Sequence, residues 1–149
     1  MGFWRSFFLT VAMALAVAVV SQHASAGAGT FTLGRTTIQE TNGIWRVNFT
    51  MTLPKPPPTA RPTIKFSFTR QTVFDESGAA TPVKRPVVVV HEDQIAFGDG
   101  SGTIWKQAKA DISIVRQEGF LPGEYKLVVK GPYGEVGQPV MVTLTSSSK

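Results

Sequence analysis

The sequence predicts an all-β protein, built as a single antiparallel β-sandwich of seven or eight strands. From residue 28 onward, apolar and polar side chains alternate with the period of a β-strand. No stretch there repeats apolar residues at the spacing of a long amphipathic helix. Glycine and proline, 14 and 10 of the 149 residues, divide the alternating stretches into short pieces. Short strands with turns this regular are typical of a sandwich or a small barrel.

The clearest strand is Ile44–Leu53, in which every second residue is large and apolar and the residues between are mostly polar. One side of this strand should face a core and the other side water. Asn42-Gly43 precedes it, and such a pair tolerates the positive φ angles of a tight hairpin turn. We therefore expect residues 30–38 to pair back onto this strand in the antiparallel direction.

The prolines of residues 54–58 remove backbone donors, so the chain should leave the sheet there as an extended connection. A third strand is predicted at Thr63–Phe74, again from alternation. Residues 75–86 have the composition of a loop. Residues 87–90 are a continuous apolar run, too short for a helix, and this pattern favours a buried strand.

The second half of the chain supplies the remaining strands. Residues 95–97 and 102–106 flank a glycine-rich stretch at 98–101, which suggests a hairpin. Three further strands are predicted at residues 111–116, 124–130 and 138–145. The expected core between two facing sheets comprises Trp45, Phe49, Phe66, Phe68, Tyr125, Leu127 and Val142.

Residues 119–127, with the sequence GFLPGEYKL, resemble the corner that leads into the sixth strand of immunoglobulin-like and fibronectin-type domains. The resemblance implies that the hydroxyl of Tyr125 bonds back to the main chain across this loop. The inter-sheet cysteine pair of antibody domains is absent, so the chain is closer to a bacterial-type immunoglobulin-like module. Such modules are mostly binding or spacer units, and the resemblance carries over no active site.

The first 26 residues have the pattern of a secretory signal peptide. Arg5 precedes the apolar run of residues 7–20, and Ala24-Ser25-Ala26 supplies a small-residue cleavage site. The run is shorter than the roughly 20 apolar residues that a membrane anchor needs, so no stable span is expected after cleavage. We expect residues 1–26 to be removed and residues 27–149 to form the β-sandwich domain, in the periplasm or outside the cell.

Composition excludes several classes of function. The chain has no cysteine, which removes thiol nucleophiles, zinc-thiolate sites and iron–sulfur clusters. The net charge of +5 comes from scattered lysines and arginines, so no nucleic-acid partner is expected.

His91 is the only histidine after residue 26, and Asp93 is its nearest same-face carboxylate, which leaves too few ligands for a metal site. The paired acids at 75–76 and 92–93 and the glycines at 98–102 are interpreted as solvated turns, so neither catalysis nor a cofactor is predicted.

With catalysis and metal binding set aside, the candidate functional residues are those on the predicted surface. If the strands at 63–74, 124–130 and 138–145 share a sheet, as the third, sixth and seventh strands of immunoglobulin-like folds do, a mildly basic, hydroxyl-rich set of side chains projects from its outer face: Lys65, Ser67, Thr69, Lys126, Lys130 and Thr143. Trp105 and Tyr133 are the aromatic residues least explained by the core pattern, and both join the candidate binding face because sugar-binding modules use exposed rings as stacking platforms. The pattern equally allows Trp105 to cap the core. The leading hypothesis is an exported, non-catalytic module that acts by contact with an envelope or extracellular protein. The alternative is a carbohydrate-binding module that recognises an acidic polysaccharide.

Overall fold

A computed structural model describes residues 28–101, 104–107 and 110–147, so the predicted signal peptide lies outside the described residues. The described chain is all-β, as predicted: it has no α-helix, and a short 3-10 turn covers Arg116–Glu118. None of its segments is a helix long and apolar enough to cross a bilayer. The strands are β1 (Thr30–Leu33), β2 (Thr37–Gln39), β3 (Ile44–Leu53), β4 (Thr63–Phe74), β5 (Ala80–Gln94), β6 (Phe97–Ser101), β7 (Ile104–Gln107), β8 (Asp111–Val115), β9 (Gly123–Gly131), β10 (Gly134–Glu135) and β11 (Val140–Thr145).

The strands form two open sheets. The five-stranded sheet has the order β1-β3-β7-β6, with β8 also paired to β3. The six-stranded sheet has the order β2-β11-β9-β4-β5, with β10 beside β9. Among the described strands every pairing is antiparallel except that of β2 with β11.

The core lies between the inner faces of these sheets. Phe49 of β3 and Phe66 of β4 come from different sheets, and their ring centroids are 5.6 Å apart. All seven residues predicted for the core are buried, with at most 3% of their surface exposed. Phe120 is also fully buried and packs edge-on against Phe68, although it lies in a loop rather than a strand. Alternation is therefore a sound guide to the buried residues of the strands, and it misses those that loops contribute.

Strand β3 has the predicted bounds, and the predicted turn precedes it. Asn42 and Gly43 have φ angles of 54° and 78°, which suits the tight turn that joins Thr41 to Ile44. The prediction of one strand over residues 30–38 is wrong, because β1 pairs with β3 while β2 pairs with β11 in the other sheet.

The reason for this sheet switch lies in the parity of two apolar residues. Phe31 and Ile38 are an odd number of residues apart, so an unbroken strand would point them to opposite faces. With the chain divided between two sheets, both are buried, at 8% and 7% exposure. Burial of both side chains outweighs the continuity of a single hairpin.

Residues 75–94 differ most from expectation. Strand β4 turns at residues 75–79 and returns as β5, so most of the predicted loop at 75–86 belongs to a 15-residue strand. The prediction that residues 87–90 are buried is also wrong: Val88 and Val90 are 54% and 44% exposed. The physical reason is that only one face of this sheet packs on the core, and Val88 and Val90 lie on the other face, which is in water.

The β6–β7 hairpin forms as predicted, but its turn is displaced. Residues 98–101 lie within β6 rather than between the strands. The connection to β7 falls at residues 102–103, outside the described residues. The proline-rich segment at 54–58 leaves the sheet as expected, since β3 ends at Leu53 and the next strand begins at Thr63.

Candidate binding face

The six polar residues of the predicted face lie on three neighbouring strands of the six-stranded sheet. Strand register places Lys65 opposite Lys130 and Thr69 opposite Lys126. Thr143 of β11 lies opposite Glu124 of β9. Residues directly opposite each other share a face of the sheet. The structure therefore brings Lys65, Ser67, Thr69, Lys126, Lys130 and Thr143 together on one surface, which we call the outer face.

The charge of the outer face is more mixed than the sequence suggested. Lys65 lies between Lys130 on one side and Glu92 of β5 on the other. Lys130 in turn lies opposite Glu135 of β10. Acidic residues therefore flank the two lysines at this end of the sheet, and the positive charge is partly balanced.

Apolar side chains alternate with the polar ones across the outer face, from the edge strand β5 to β11, and the sequence analysis did not include them. Val88 lies opposite Thr69, and Val90 lies opposite Ser67. Val128, half-buried, is opposite Ser67 on the other side, and Met141 is opposite Lys126. We call Val88, Val90, Val128 and Met141 the outer-face patch.

Part of this patch was visible in the sequence pattern. Met141 directly precedes Val142, which was assigned to the core, so alternation alone points Met141 outward. It is 49% exposed. The valines of β5 carried no such signal, because a run of apolar residues in a strand suggests burial on both sides.

Trp105 does not belong to the outer face. It lies on β7 of the five-stranded sheet, opposite Leu53 of β3, and it packs against the core. Its indole Nε1 is buried and has no hydrogen-bond partner among the described residues. Trp105 is therefore removed from the candidate binding face: of the two positions that the sequence allowed, an exposed ring or a cap on the core, the structure shows the second.

Tyr133 is also separate from the outer face. It lies in the turn between β9 and β10, and its hydroxyl donates a hydrogen bond to the carbonyl oxygen of Pro56. The Nζ of Lys55 lies 4.4 Å from the centre of its ring. The ring is therefore engaged in holding the proline-rich connection against the end of the sheet, and one of its faces is covered.

The titratable residues considered for chemistry are dispersed. His91 lies on the inner side of β5 beside Phe66, and its Nδ1 is 4.0 Å from a carboxylate oxygen of Glu118. The described residues contain no group of three or more histidines and carboxylates able to hold a metal ion.

Asp75 lies in the β4–β5 turn, where hydrogen bonds from the Ser77 hydroxyl and the Ala79 amide hold its pKa below the ordinary value. That arrangement stabilises a turn and resembles no catalytic pair.

A shallow polar groove of about 590 Å³ lies beside β2 and the first half of β3. It exists because β1 and β2 part here to join different sheets. Its lining is mostly hydroxyl, amide and guanidinium groups around two isoleucines: Arg35, Thr37, Ile38, Gln39, Thr41, Asn42, Ile44, Arg46 and Asn48. The sequence analysis missed this groove, because only the sheet switch creates it.

No protein-family model matches this chain, and the curated proteins include no sequence that matches it. A functional proposal therefore depends on the geometry of the chain's own residues.

Proposed function

We propose that this chain is an exported, non-catalytic, immunoglobulin-like β-sandwich that acts by protein–protein contact in the cell envelope or outside the cell. The observation that carries the proposal is the outer-face patch. Val88, Val90 and Met141 are exposed on one sheet face, where ordinary solvated strands carry polar residues.

The surroundings of the patch suit a protein interface. The centre of such an interface is apolar and low in charge, and its rim is polar. On the outer face, Thr69 and Lys126 lie between Val88 and Met141, and Ser67 lies between Val90 and Val128. Lys65 and Lys130 lie toward one end of the sheet. A partner surface that offers apolar side chains and charges of both signs would complement this face.

Two observations support the immunoglobulin-like part of the proposal. The core fills the space between two facing sheets, and Tyr125 makes the hydrogen bonds to the main chain that the resemblance implies. Export is supported by the signal-peptide pattern of residues 1–26 and is compatible with a chain that needs no disulfide.

The test is capture from the native envelope fraction with residues 27–149 of the wild type and two variants. Val88→Lys places a charge in the patch, whereas Thr50→Lys places one at an exposed position of β3 in the other sheet. We expect the same polypeptide to bind the wild type and Thr50→Lys, and binding to Val88→Lys to fall at least tenfold. Equal binding to all three would reject the outer face as the contact surface, provided that circular dichroism shows all three folded.

The carbohydrate-binding alternative is favoured by one feature, the polar groove beside β2. Its hydroxyl, amide and guanidinium groups are those that bind sugar hydroxyls and carboxylates. Glycan-array binding that is lost in Arg46→Ala but kept in Val88→Lys would favour this function. Binding that is lost instead in Trp105→Ala or Tyr133→Ala, with folding intact, would restore the aromatic rings as the sugar platform.

A further inference from the structure

Strand β5 has a free edge over the valine segment, residues 87–90. Within the described chain this segment pairs only with β4, on one of its two sides. Every second residue of an edge strand turns its N–H and C=O groups away from its neighbour, which makes the edge a template for another strand. Such an edge is usually protected.

The first half of β5 carries the protection expected of an edge, and the valine segment does not. Pro82 and Pro86 cannot donate hydrogen bonds, and Lys84 and Arg85 are exposed charges. The β4–β5 register also shifts here, between Arg70 and Thr72 of β4. Proline, charge and a register irregularity all discourage pairing. Residues 87–90 have none of the three and consist only of valine, which favours extended backbone.

The inner side of the valine segment is held in place, so the edge is presented in a defined position. Val89 packs against the core from β5. His91, two residues on, lies beside the ring of Phe66 and close to Glu118. A strand anchored in this way loses little further conformational freedom when another strand pairs with it.

The order of charges along β5 identifies the strand that fits. Lys84 and Arg85 precede the valine segment, and Glu92 follows it. In the sequence, Lys84 lies four positions before Val88 and Glu92 four positions after it, and the register irregularity at residues 83–86 includes Lys84 but not Glu92. A second β5 that runs antiparallel, with Val88 opposite Val88, therefore brings the basic end of each strand to the acidic end of the other. A parallel copy would bring like charges together.

We propose that two copies of this chain pair through β5, antiparallel and about a two-fold axis at Val88. The six-stranded sheets of the two copies then form one continuous sheet. On its outer side Val88 of one copy lies opposite Val88 of the other, and Val90 lies opposite Pro86 of the other copy, so the unprotected pairs are those of residues 87–89 and the two outer-face patches adjoin. This inference goes beyond the proposed function, since it names a second copy of the chain at the edge rather than a foreign partner on the face.

The absence of cysteine allows a direct test by crosslinking. Opposite residues of an antiparallel pair have Cα atoms within the range that a disulfide spans. Under mild oxidation, Val88→Cys in residues 27–149 should give a covalent dimer at least tenfold faster than Met141→Cys. The control residue is similarly exposed on the same face, at 49% against 54%, but it lies on β11, three strands from the edge. Equal rates would overturn the proposal.

Charge reversal tests the direction of pairing. We expect sedimentation equilibrium to show a dimer for the wild type and a dissociation constant raised about fivefold to tenfold by Lys84→Glu or by Glu92→Lys. The double variant Lys84→Glu with Glu92→Lys should restore the wild-type value, because it exchanges the two ends. A wild type that is monomeric at high micromolar concentration, or single variants that leave the constant unchanged, would overturn the inference.

The same variants separate this inference from the proposed function. A weakly dimerising Lys84→Glu protein that still captures the partner polypeptide would support both, because the outer-face patch is unaltered. A dimer that crosslinks through Val88→Cys while no polypeptide is captured would support the edge pairing and reject the proposed function.

Discussion

The hydroxyl of Tyr125 bonds to both backbone groups of Leu121. It donates to the carbonyl oxygen at 2.6 Å and accepts from the amide nitrogen at 3.0 Å. Nε of Arg70 lies 3.4 Å from the same hydroxyl, and Nη2 of Arg70 donates to the carbonyl oxygen of Gly119 at 2.8 Å. The loop before β9 is thus tied to its own strand and to β4, which confirms the predicted bond from Tyr125 to the main chain.

Tyr125→Phe should destabilise the fold by about 1 kcal/mol, because it removes these bonds and little volume. The loss stays modest because Leu121 is 39% exposed, so water can reach its backbone groups. The measurement is the urea midpoint at constant m-value. Tyr133→Phe is the control, since its hydroxyl bonds to Pro56 at an exposed site. A larger loss for Tyr133→Phe than for Tyr125→Phe would contradict the assignment.

Phe66→Ala should destabilise the fold by about 3–5 kcal/mol, because Phe66 is fully buried between the sheets and its removal leaves a cavity. Its neighbour Lys65 points to solvent from the same strand. Lys65→Ala should change stability by less than about 0.5 kcal/mol. Paired denaturant titrations check the difference, and similar midpoints for the two variants would contradict the assigned facing of β4.

Gln107→Leu should destabilise the five-stranded sheet by about 1–3 kcal/mol. The Oε1 of Gln107 accepts from the amide of Met51 at 2.7 Å, and its Nε2 lies 3.5 Å from the carbonyl oxygen of Phe49. The Gln107 side chain thus bonds to the backbone of β3 in the gap between the part of β3 that pairs with β8 and the part that pairs with β7. A leucine there would leave the Met51 amide and the Phe49 carbonyl without these bonds.

Hydrogen exchange at the Met51 amide is the specific measurement for this variant. We expect faster exchange in Gln107→Leu and unchanged exchange in Lys106→Leu, which alters an exposed residue of the same strand. Unchanged protection of the Met51 amide in both variants would show that the Gln107 side chain does not hold this amide in a hydrogen bond.

Asp75→Asn should make the free energy of unfolding depend less on pH in the acid range. The Ser77 hydroxyl and the Ala79 amide favour the Asp75 carboxylate and lower its pKa in the folded state below the ordinary value of 3.8. The folded chain therefore binds this proton less tightly than the unfolded chain, so the contribution is present above the ordinary value and is lost as pH falls through the lowered pKa. Thermal unfolding from roughly pH 6 to pH 2 checks this, because the difference between wild type and variant should shrink toward the acid end. A difference that stays constant with pH would assign the effect to the turn's hydrogen bonds alone.

The predicted binding face shows which side-chain directions apolar–polar alternation can predict and which it cannot. Lys65, Ser67 and Thr69 were placed outward because Ile64, Phe66 and Phe68 alternate with them, and their burial bears this out. The sequence left Trp105 open between an exposed ring and a cap on the core, because four residues of β7 are too few to show which side alternates inward. The valines of β5 were misplaced because a run that is apolar throughout looks the same in a central strand and in an edge strand.

The bond from Tyr125 to the main chain was implied by the resemblance of residues 119–127 to an immunoglobulin-like corner. By itself the sequence determined the strand class, most strand positions and the buried side chains of β3, β4 and β9. These are local properties, since alternation and turn chemistry act over a few neighbouring residues. Only the tertiary structure decided that β5 lies at an edge and that β1 and β2 join different sheets. Sheet order depends on pairing between strands far apart in the chain, as when β2 joins β11, and burial of the whole core selects among those pairings.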